Sequence, residues 1–463
     1  MTSSRYDVIV VGARCAGSPL ATHLARAGLD VCLVDRARFP SDTLSTHYFE
    51  AEGVAALDRL GVLPSVLATG APMVENVEFR IDDLRVVDPI PRRPDDHSPA
   101  LCVRRPALDA VLIEAAGQAG AEIRTSARVT GVTTKNGRVV GVRVTGEDDR
   151  EHELEAALVV GADGMGSTVA RLVGARRYHV VSNQRFIYWG YYEGARWDAP
   201  AVVFQRWGEE LLFGCPCDAG LYVAAMLSPL DRLPAFKADP EAVFAAHLAA
   251  GEATTVSFEG ARRVGPLRGM ASYPAFFRES AGPGWVLVGD AGHFKDPAMG
   301  QGISDALRQA ERLAAAVVSG LGGSAPADAA LRAWWRDRDA DELEHHWLAS
   351  DLGAAGTVTT VIREALGRLH ASPGGLSDFY NLFHHRARPS KVLTPGRMLA
   401  ATVRLALRGR EHRRPALREF RALAALDRQR RRLRRHPQLV EDGRAVTAPE
   451  TSPPGPLGGA LVG

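Results

Sequence analysis

Apolar residues near the start of the chain follow the pattern of a strand, a helix and a second strand. Residues 6–11 are apolar apart from Asp7, as expected for a parallel strand that is buried on both faces. Residues 17–27 have helical spacing, and Gly28 suits the end of that helix. The next apolar run, residues 31–34, predicts a second buried strand. The order predicts a β-turn-α-β unit.

Two further helices and two hairpins are predicted before residue 161. Helical spacing covers residues 50–60 and 105–119. Residues 74–88 have the pattern of a hairpin. Residues 121–160 alternate around the turn Asn136-Gly137, which is a strong hairpin signal.

The pattern changes between residues 178 and 275. Aromatic residues and short alternating runs dominate there, which predicts a mostly antiparallel sheet between glycine-rich segments. Residues 284–318 return to a strand-turn-helix pattern, and residues 326–425 are mainly helical. The tail from residue 437 is rich in Pro and Gly, which predicts disorder. We expect an α/β protein with an inserted sheet and a helical C-terminal region.

Composition restricts the class of protein. A chain of 463 residues with 46% apolar and 24% charged residues is typical of a globular protein. The net charge of +2 gives no reason to expect a nucleic-acid partner. Five scattered cysteines lack the paired spacing of a zinc site, so we expect no metal. The sequence has no secretory segment and no apolar run near the ~20 residues of a membrane helix, so we expect a cytoplasmic protein without an integral membrane span.

The turn after the first strand reads Gly12-Ala-Arg14-Cys-Ala-Gly17. It resembles the phosphate-binding fingerprint G-x-G-x-x-G, except that Arg14 occupies the middle position. Gly12 permits a tight turn, Gly17 permits close packing of helix on strand, and the helix N-terminus favours a phosphate. Arg14 either pairs with a phosphate oxygen or points to solvent. Asp35 lies 23 positions after Gly12, which suits a carboxylate that binds a ribose, and we assign the neighbouring Arg36 to the same site.

Two more glycine clusters follow buried strands. Asp163-Gly164 comes after an apolar strand and before a short helical segment. Gly289-Asp290 follows a third buried strand, at the carboxyl end where ligands of open α/β sheets bind. Gly300 and Gly302 then begin another helix, whose free N–H groups favour an anion or charge that develops on a bound ring.

Together, the three clusters resemble the FAD-dependent oxidoreductases that include the aromatic hydroxylases, the geranylgeranyl reductases and the flavin-dependent halogenases. The resemblance covers residues 5–318, and residues 289–302 are similar to the family's specific Gly-Asp motif. Residues 12–18, 39–47 and 289–297 resemble a bacterial monooxygenase-like subgroup in which arginine is usual at the middle glycine position.

The resemblance implies an FAD-binding Rossmann-like domain of the glutathione-reductase type. The predicted division assigns residues 1–75, 100–177 and 276–320 to this domain, 76–99 and 178–275 to a substrate-binding β-sheet domain, 321–436 to the helical region and 437–463 to a disordered tail.

The resemblance also implies roles for individual residues. Asp290 is expected to bind the ribityl hydroxyls, Arg105 the flavin chain or pyrophosphate, and Asp163-Gly164 the pyrophosphate or NAD(P)H. The backbone from Gly300 to Ile303 is expected to face the pyrimidine end of the isoalloxazine. The full set of predicted cofactor-binding residues is Gly12, Arg14, Gly17, Asp35, Arg36, Arg105, Asp163, Gly164, Gly289, Asp290, Pro297, Gly300, Gly302 and Ile303.

The activity implied by the resemblance is that of an FAD-dependent monooxygenase. NAD(P)H, bound only transiently, would reduce FAD, and a C4a-hydroperoxyflavin would hydroxylate or epoxidise an electron-rich, aromatic or polyketide-like small molecule. A geranylgeranyl-type reductase of isoprenoid double bonds is the alternative, because it would use the same FAD site. A halogenase is disfavoured, because residues 188–192 are not the W-x-W-x-I-P motif and the first lysine is Lys135.

The cofactor carries this chemistry, so no protein nucleophile is required. His47 is the candidate catalytic acid-base group, and a hydrogen-bonded loop histidine is the alternative. His293 is expected to brace the Gly-Asp turn, and Lys295 either contacts flavin or substrate or is solvated. The arginine-rich segment 428–435 is expected to be a solvated helix end, with phosphate or membrane binding as the alternative. A homodimer is a candidate assembly.

Overall fold

The computed structural model describes residues 4–43, 45–322 and 327–441. Its strands are β1 (Ser4–Val11), β2 (Val31–Val34), β3 (Tyr48–Glu50), β4 (Asn76–Ile81), β5 (Leu84–Pro89), β6 (Ala100–Cys102), β7 (Glu122–Arg124), β8 (Arg128–Lys135), β9 (Arg138–Thr145), β10 (Glu151–Gly161), β11 (Arg177–Val181), β12 (Arg185–Glu193), β13 (Ala201–Trp207), β14 (Glu210–Pro216), β15 (Tyr222–Pro229), β16 (Arg262–Met270), β17 (Ala275–Arg278), β18 (Ala281–Gly282), β19 (Trp285–Leu287) and β20 (His293–Phe294).

Its α-helices are α1 (Gly17–Arg26), α2 (Ala51–Arg59), α3 (Leu63–Leu67), α4 (Arg105–Gln118), α5 (Thr168–Leu172), α6 (Leu233–Ala238), α7 (Pro240–Gly251), α8 (Gly302–Gly322), α9 (Ala327–Gly353), α10 (Thr360–His370), α11 (Gly375–Phe383), α12 (Pro389–Val392), α13 (Pro395–Arg408) and α14 (Arg410–Arg435). Short 3-10 turns at Gly289–Ala291 and Pro297–Met299 flank β20.

The largest sheet contains a parallel part with the order β7-β2-β1-β10-β19. β1 lies between β2 and β10, so the chain order reverses on the two sides of β1. Connections diverge at such a point and leave a crevice at the carboxyl ends of the strands, where ligands bind. β18, β9 and β8 extend the sheet through antiparallel pairs. The first glycine turn follows β1 and therefore lies at this crevice.

β1 is buried on both faces because its alternate residues enter two different cores. Val8 and Val10 pack in the core shared with α1, α4 and α8. Ile9 and Val11 pack toward the hairpin β8–β9 and α5. The prediction of a strand buried on both faces is therefore confirmed, and it explains why residues 6–11 show no clean alternation.

The second large sheet has seven strands in the order β16-β12-β15-β14-β13-β4-β5. Its pairs are antiparallel except β13–β4, in which Val203 lies opposite Glu78 in parallel register. The strands come from residues 76–89 and 185–270, two stretches separated by much of the first sheet. The predicted fold class, a parallel sheet with an inserted, mostly antiparallel sheet and C-terminal helices, is confirmed. The domain boundaries stay predictions.

Helices α9 to α14 form the C-terminal region, in which α9 packs on α8, and α10, α13 and α14 share a small apolar core. Residues 442–463 of the tail predicted to be disordered lie outside the described residues. Just before them, Val440 exchanges two backbone hydrogen bonds of 2.7 Å with Arg177. Within the described ranges, none of the helices combines the length and the apolar character needed to cross a bilayer.

Candidate active site

Three glycine turns meet at the carboxyl ends of β1, β10 and β19. Gly12 has φ +105°, and a Cβ there would lie 2.4 Å from the carbonyl oxygen of Ala162, so a larger residue does not fit. A Cβ on Gly17 would lie 1.7 Å from the carbonyl oxygen of Gly12. A Cβ on Gly289 would lie 2.9 Å from the Cβ of Ala16. The three turns therefore form one continuous surface, although they are far apart in sequence.

Asp35 fixes the conformation of the first turn. Its Oδ2 accepts a hydrogen bond of 2.7 Å from the amide of Ala13, and its Oδ1 accepts one of 2.7 Å from the amide of Ala37. Each carboxylate oxygen has a second acceptor position, so a ribose hydroxyl is still able to bind. Arg36 is exposed and forms no ion pair with another described residue. The cofactor contacts of Asp35 and Arg36 stay predictions.

The guanidinium of Arg14 has protein partners. Nη1 donates a hydrogen bond of 2.6 Å to Asp109 Oδ2, and Nη2 donates one of 2.9 Å to Ser41 Oγ. The guanidinium carbon also lies 5.1 Å from the ring centre of Phe39. The turn accommodates an arginine at its middle position because a buried carboxylate on α4 holds the side chain. The alternative that Arg14 points freely to solvent is wrong, and a contact with phosphate stays a prediction.

Asp109 also pairs with Arg105, one helical turn earlier in α4. Its Oδ1 accepts hydrogen bonds from Arg105 Nη2 at 3.0 Å and from Nε at 3.1 Å. Burial opposes the charge of Arg105, but the neighbouring Cys15 and Asp109 raise its pKa above the usual value. The Nη1 group of Arg105 donates no hydrogen bond to any described residue. It is therefore available to an anionic ligand, and its contact with the flavin chain or pyrophosphate stays a prediction.

Asp163 stabilises the start of α5. Its Oδ1 accepts a hydrogen bond of 2.5 Å from Ser167 Oγ, and its Oδ2 accepts one of 2.6 Å from the amide of Thr168. Gly164 has φ +80°, which requires glycine or an equivalent turn residue. The backbone of Asp163 thus lines the crevice while its carboxylate holds the turn. A contact between this segment and pyrophosphate or NAD(P)H stays a prediction.

The third turn presents a carboxylate without a protein partner. Asp290 follows β19 and is half-buried, and no described residue donates a hydrogen bond to its side chain. Burial raises the pKa of Asp290 to about 6; Asp305 raises it further, whereas Arg105 and Lys295 lower it. A carboxylate that is largely shielded from water is costly unless it is hydrogen-bonded, so this group suits a ligand with hydroxyl donors.

The start of α8 is open to a ligand. Gly300 has φ +69°, and its Cβ position lies 3.2 Å from the ring of Tyr48. Gly302 is exposed, and no atom lies within 4 Å of its Cβ position. The first N–H groups of a helix lack an intrahelical acceptor and favour negative charge. Pro297 is half-buried on one side of this opening, and Ile303 is buried behind it.

A buried charge cluster lies behind the start of α8. Lys295 Nζ lies 2.6 Å from Asp305 Oδ2 and 3.0 Å from Glu342 Oε2. Burial alone would lower the pKa of Lys295, but the two carboxylates raise it overall. The alternative of a solvated lysine is therefore wrong. The ligand atoms of Asp305, Glu342 and His385 lie within 4.8 Å of one another, but Lys295 and Arg308 already balance the carboxylates.

His47 is fully buried, and its backbone has φ +59°, an uncommon conformation for a residue with a side chain. Its Nε2 lies 3.0 Å from the hydroxyl of Tyr191, and no described residue bonds to its Nδ1. Burial, with help from Arg105 and Arg104, lowers the pKa of His47 to about 3. The ring is therefore neutral near pH 7 and acts as a hydrogen-bonding group. Its catalytic role stays a prediction.

A narrow apolar cavity borders Met299, the residue before Gly300. β3, β4, β13 and α11 contribute its walls, which include the aromatic rings of Tyr48, Phe79, Phe204, Phe379 and Phe383. The ring centres of Phe79 and Phe379 lie 5.2 Å apart in an edge contact. The cavity encloses only about 20 Å³, room for about one water molecule, so a flat or apolar ligand would have to part its aromatic walls.

His384 supplies a polar group to the wall of this cavity. It is buried, and no described residue bonds to its Nε2. Burial lowers the pKa of His384 to about 4, and the charge of Arg386 contributes to this shift. The ring is therefore neutral near pH 7 and has a nitrogen available for a hydrogen bond.

Comparison with known proteins agrees with this site. The sequence matches the FAD binding domain family over residues 5–235. A menaquinone reductase from Mycolicibacterium smegmatis is 30% identical over 336 residues, which cover 69% of this chain and 78% of that protein. The chain belongs to the FAD-dependent oxidoreductases. Its predicted cofactor, FAD, is confirmed, and NAD(P)H is the typical co-substrate of the family.

Relatives among these FAD-dependent oxidoreductases carry out different reactions. A brominase of 1H-pyrrole-2-carbonyl-[peptidyl-carrier protein] from Pseudoalteromonas luteoviolacea is 24% identical over 69% of this chain and 79% of its own length. A digeranylgeranylglycerophospholipid reductase from Methanocella arvoryzae is 27% identical over 66% of this chain and 75% of its own length. The relatives of this chain therefore include a halogenating enzyme and a reductase of lipids.

Solved structures share the fold. A flavin-dependent brominase superposes with a TM-score of 0.69 at 19% identity, covering 88% of this chain and all of that one. Aklavinone-11 hydroxylase, solved with FAD and aklavinone, superposes with a TM-score of 0.63 at 21% identity, covering 75% of this chain and 68% of that one. At this identity the likeness shows the fold alone. The prediction against a halogenase is not confirmed.

The residues at the crevice fit FAD. The unpartnered carboxylate of Asp290 and the open space at Gly302 are the two features of this chain that a bound dinucleotide would satisfy and fill. Gly12 and Gly17 would hold its ADP half, with Asp35 on the ribose and Arg105 on the phosphates. When bound, FAD supplies reversible two-electron redox chemistry and, once reduced, reactivity toward oxygen.

Three features of the site have no local sequence signal. Asp109 has the helical spacing of an ordinary residue of α4, and only the tertiary structure places it on Arg14 and Arg105. The aromatic residues of α11 resemble those of any amphipathic helix. Glu50 is 1% exposed, and no described residue bonds to its carboxylate oxygens. Burial raises the pKa of Glu50 to about 8, and the charge of Asp305 adds to the shift.

Proposed function

We propose that the protein is an NAD(P)H-dependent monooxygenase that adds one oxygen atom of O2 to an electron-rich aromatic or polyketide-like compound. The overall reaction consumes substrate, O2, NAD(P)H and a proton, and yields oxygenated substrate, NAD(P)+ and water. The aromatic cavity that borders Met299 carries the proposal. It adjoins Gly300 and the open start of α8, where the ring of the cofactor is expected to lie.

The walls of the cavity would part to admit the substrate and would then bind and orient it. Phe79 and Phe379 form one edge contact, and Tyr48 and Phe204 form another, with ring centres 5.7 Å apart. These rings touch one another in the free protein, and a flat substrate ring that parts them would exchange these contacts for edge or stacked contacts of its own. The walls also exclude water, which protects a reactive oxygen species from wasteful decay.

His384 would fix the position of a polar group on the substrate. Because its pKa is about 4, the imidazole is neutral at pH 7. Its free Nε2 can accept a hydrogen bond from a substrate hydroxyl, or donate one to a substrate carbonyl in the other tautomer. His47 holds Tyr191 through Nε2, and its free Nδ1 is available to a second polar group.

The start of α8 would stabilise negative charge on the reduced cofactor ring. Free N–H groups at the start of a long helix are already oriented, so they stabilise developing charge without rearrangement. The buried charge cluster of Lys295, Asp305 and Glu342 holds this helix start in place through Gln301, whose Oε1 accepts a hydrogen bond of 2.8 Å from Lys295.

The decisive experiment supplies the FAD-loaded protein with NADPH, ¹⁸O2 and a set of fused-ring phenols and polyketides. The proposal requires a product that contains one ¹⁸O atom per NADPH consumed. Phe379→Ala and His384→Phe should raise KM for that substrate by about tenfold or more, since each removes a binding contact worth about 1–2 kcal/mol. Phe420→Ala, on α14, is the matched control and should leave KM unchanged.

A reductase of isoprenoid double bonds is the second candidate, and the two reductases among the relatives favour it. It predicts that NADPH is consumed without oxygen when a prenylated compound is present, and that the product gains two hydrogen atoms. A product that forms only with bromide or chloride present would instead identify a halogenase. Either result would overturn the monooxygenase.

A further inference from the structure

Helices α13 and α14 concentrate positive charge in a chain that is otherwise acidic. Residues 395–435 contain 14 arginines and three acidic residues, a net charge of +11. The whole chain carries +2, so the remaining residues carry −9. This concentration of positive charge creates a strong local electrostatic field. The field attracts binding partners that carry negative charge.

The exposed face of α13 is apolar. Leu399, Val403 and Leu407, which we call the α13 stripe, are 51%, 47% and 80% exposed. They are spaced by four residues, so they lie along one side of the helix. Ala401 and Leu405 occupy the opposite side and are buried against α10 and α14. The helix therefore has one apolar face in the protein core and a second apolar face in water.

Exposed arginines without an ion pair to another described residue lie on α13 itself and on α14, which packs against it. Arg404 follows Val403 directly and is exposed, and Arg410 begins the next helix. The arginines of α13 and α14 that are exposed and form no ion pair with another described residue are Arg404, Arg410, Arg413, Arg414, Arg418, Arg421, Arg428, Arg432, Arg434 and Arg435. We call these ten residues the basic face.

We propose that the α13 stripe and the basic face dock the protein on an anionic lipid surface. A helix with an apolar strip and flanking arginines lies in the plane of a bilayer, with its apolar side chains at the level of the acyl chains. Arginines near an anionic leaflet each add to the attraction, and their guanidinium groups match the geometry of lipid phosphates.

Other occupants fit these observations less well. A nucleic acid would pair with the basic face but would leave the α13 stripe in water, where exposed leucines are unfavourable. A second copy of the chain would cover the stripe but would bring two sets of unpaired arginines together, which repel each other. An anionic bilayer satisfies both features at once.

The test is sedimentation of the FAD-loaded full chain with phosphatidylcholine vesicles that contain or lack phosphatidylglycerol. We expect binding only to the vesicles with phosphatidylglycerol, and weaker binding at high salt. The variant Leu399→Ser/Val403→Ser/Leu407→Ser should lower the partition coefficient by about tenfold. The variant Arg410→Gln/Arg413→Gln/Arg414→Gln/Arg418→Gln should lower it by about a hundredfold.

Val87→Ser is the matched control, because Val87 is 52% exposed on β5 and lies outside the stripe. It should bind vesicles like the natural chain. All altered residues are exposed, and the visible flavin spectrum and melting temperature show whether each variant is folded. Absence of vesicle binding, or full binding by the serine variant, overturns the proposal.

Two further outcomes would identify another occupant and also overturn the proposal. In the first, a DNA or RNA duplex binds tightly and displaces the vesicles. If the serine substitutions leave that binding unchanged, the occupant is a nucleic acid. A dimer in light scattering that the serine substitutions dissociate, without vesicle binding, would identify a second copy.

Discussion

Asp109 Oδ2 accepts a hydrogen bond of 2.6 Å from Arg14 Nη1, across 95 residues of sequence. The same carboxylate holds Arg105, so two cations share one buried anion. The arginine in the dinucleotide turn is therefore part of the interior structure, and Asp109 links the turn to α4.

Asp109→Asn should weaken FAD binding and lower stability. Removal of the negative charge leaves two arginines without compensation, and breaking a buried ion pair typically costs about 3–5 kcal/mol. FAD titration by flavin fluorescence and thermal melting of the FAD-free protein measure the two effects. Glu114→Gln, on the exposed side of the same helix, is the control and should change neither. Normal FAD affinity in Asp109→Asn would show that the contact between Asp109 and Arg14 does not support the dinucleotide turn.

Arg14→Gly restores the usual glycine fingerprint but should not strengthen FAD binding. The variant gains nothing from glycine, because Arg14 does not occupy the positive-φ region that would require it. It loses the ion pair with Asp109 and the contact with Ser41, so its melting temperature should fall. Tighter binding of FAD by Arg14→Gly than by the natural chain would show that the arginine obstructs the cofactor.

Gly302→Val should separate folding from cofactor binding. No protein atom lies within 4 Å of a Cβ at Gly302, so the FAD-free variant should melt close to the natural chain. The added side chain would enter the space assigned to the cofactor ring, so FAD affinity should fall by about tenfold or more. Gly322→Val, at the other end of α8 with the same open surroundings, is the control and should bind FAD normally. Equal FAD affinity in both variants would place the ring elsewhere.

Glu50→Gln should change the pH dependence of stability. The folded protein holds the Glu50 proton up to about pH 8, whereas the unfolded chain releases it near pH 4.5. Stability in the natural chain therefore falls as pH rises between these values, by up to about 1.4 kcal/mol per pH unit. Glutamine does not titrate, so the melting temperatures should be similar at pH 5 and higher for the variant at pH 8. If the melting temperatures of the variant and the natural chain differ by the same amount at every pH, Glu50 is not buried in its protonated form.

Lys295→Met should be strongly destabilising. It leaves Asp305 and Glu342 close together with one cation fewer, and an uncompensated buried charge costs about 3–5 kcal/mol. Chemical denaturation of the FAD-free protein measures the loss. Lys237→Met is the control, because Lys237 is exposed and has no ion pair with a described residue. Equal stability of the two variants would show that the cluster does not depend on Lys295.

The sequence patterns predicted those helices, strands and turns whose formation depends on residues close together in the chain. The β1–α1–β2 unit, the hairpin at Asn136-Gly137 and the glycine turns follow from burial on both faces, from positive φ and from helix termini. These signals lie within a few residues of each other. The fold class followed because the number and order of such elements limit the possible layers.

Contacts between residues far apart in the sequence could not be predicted from it. The parallel pair β13–β4 joins a strand of the predicted hairpin 74–88 to a strand of the predicted antiparallel sheet, and nothing in either strand marks this parallel neighbour. For Lys295 the sequence left open a contact with flavin or substrate and a solvated side chain. It did not reveal the buried ion pairs, because the carboxylates come from α8 and α9. His293 stacks on Phe277 of β17 at 4.1 Å, and its predicted bracing of the Gly-Asp turn stays a prediction.

The parallel sheet has a consequence for the order of synthesis. β19, the strand that presents Asp290, is the last of the five parallel strands, and it follows all strands of the inserted sheet. During translation the domain that receives the cofactor therefore stays incomplete until the inserted sheet has been made, since chains emerge from the N-terminus at a few residues per second. A nascent chain that stops before Trp285 carries the Gly12 turn but lacks one wall of the crevice. We expect FAD to bind late in synthesis. The inserted sheet would then fold beside an incomplete, FAD-free cofactor domain of the same chain.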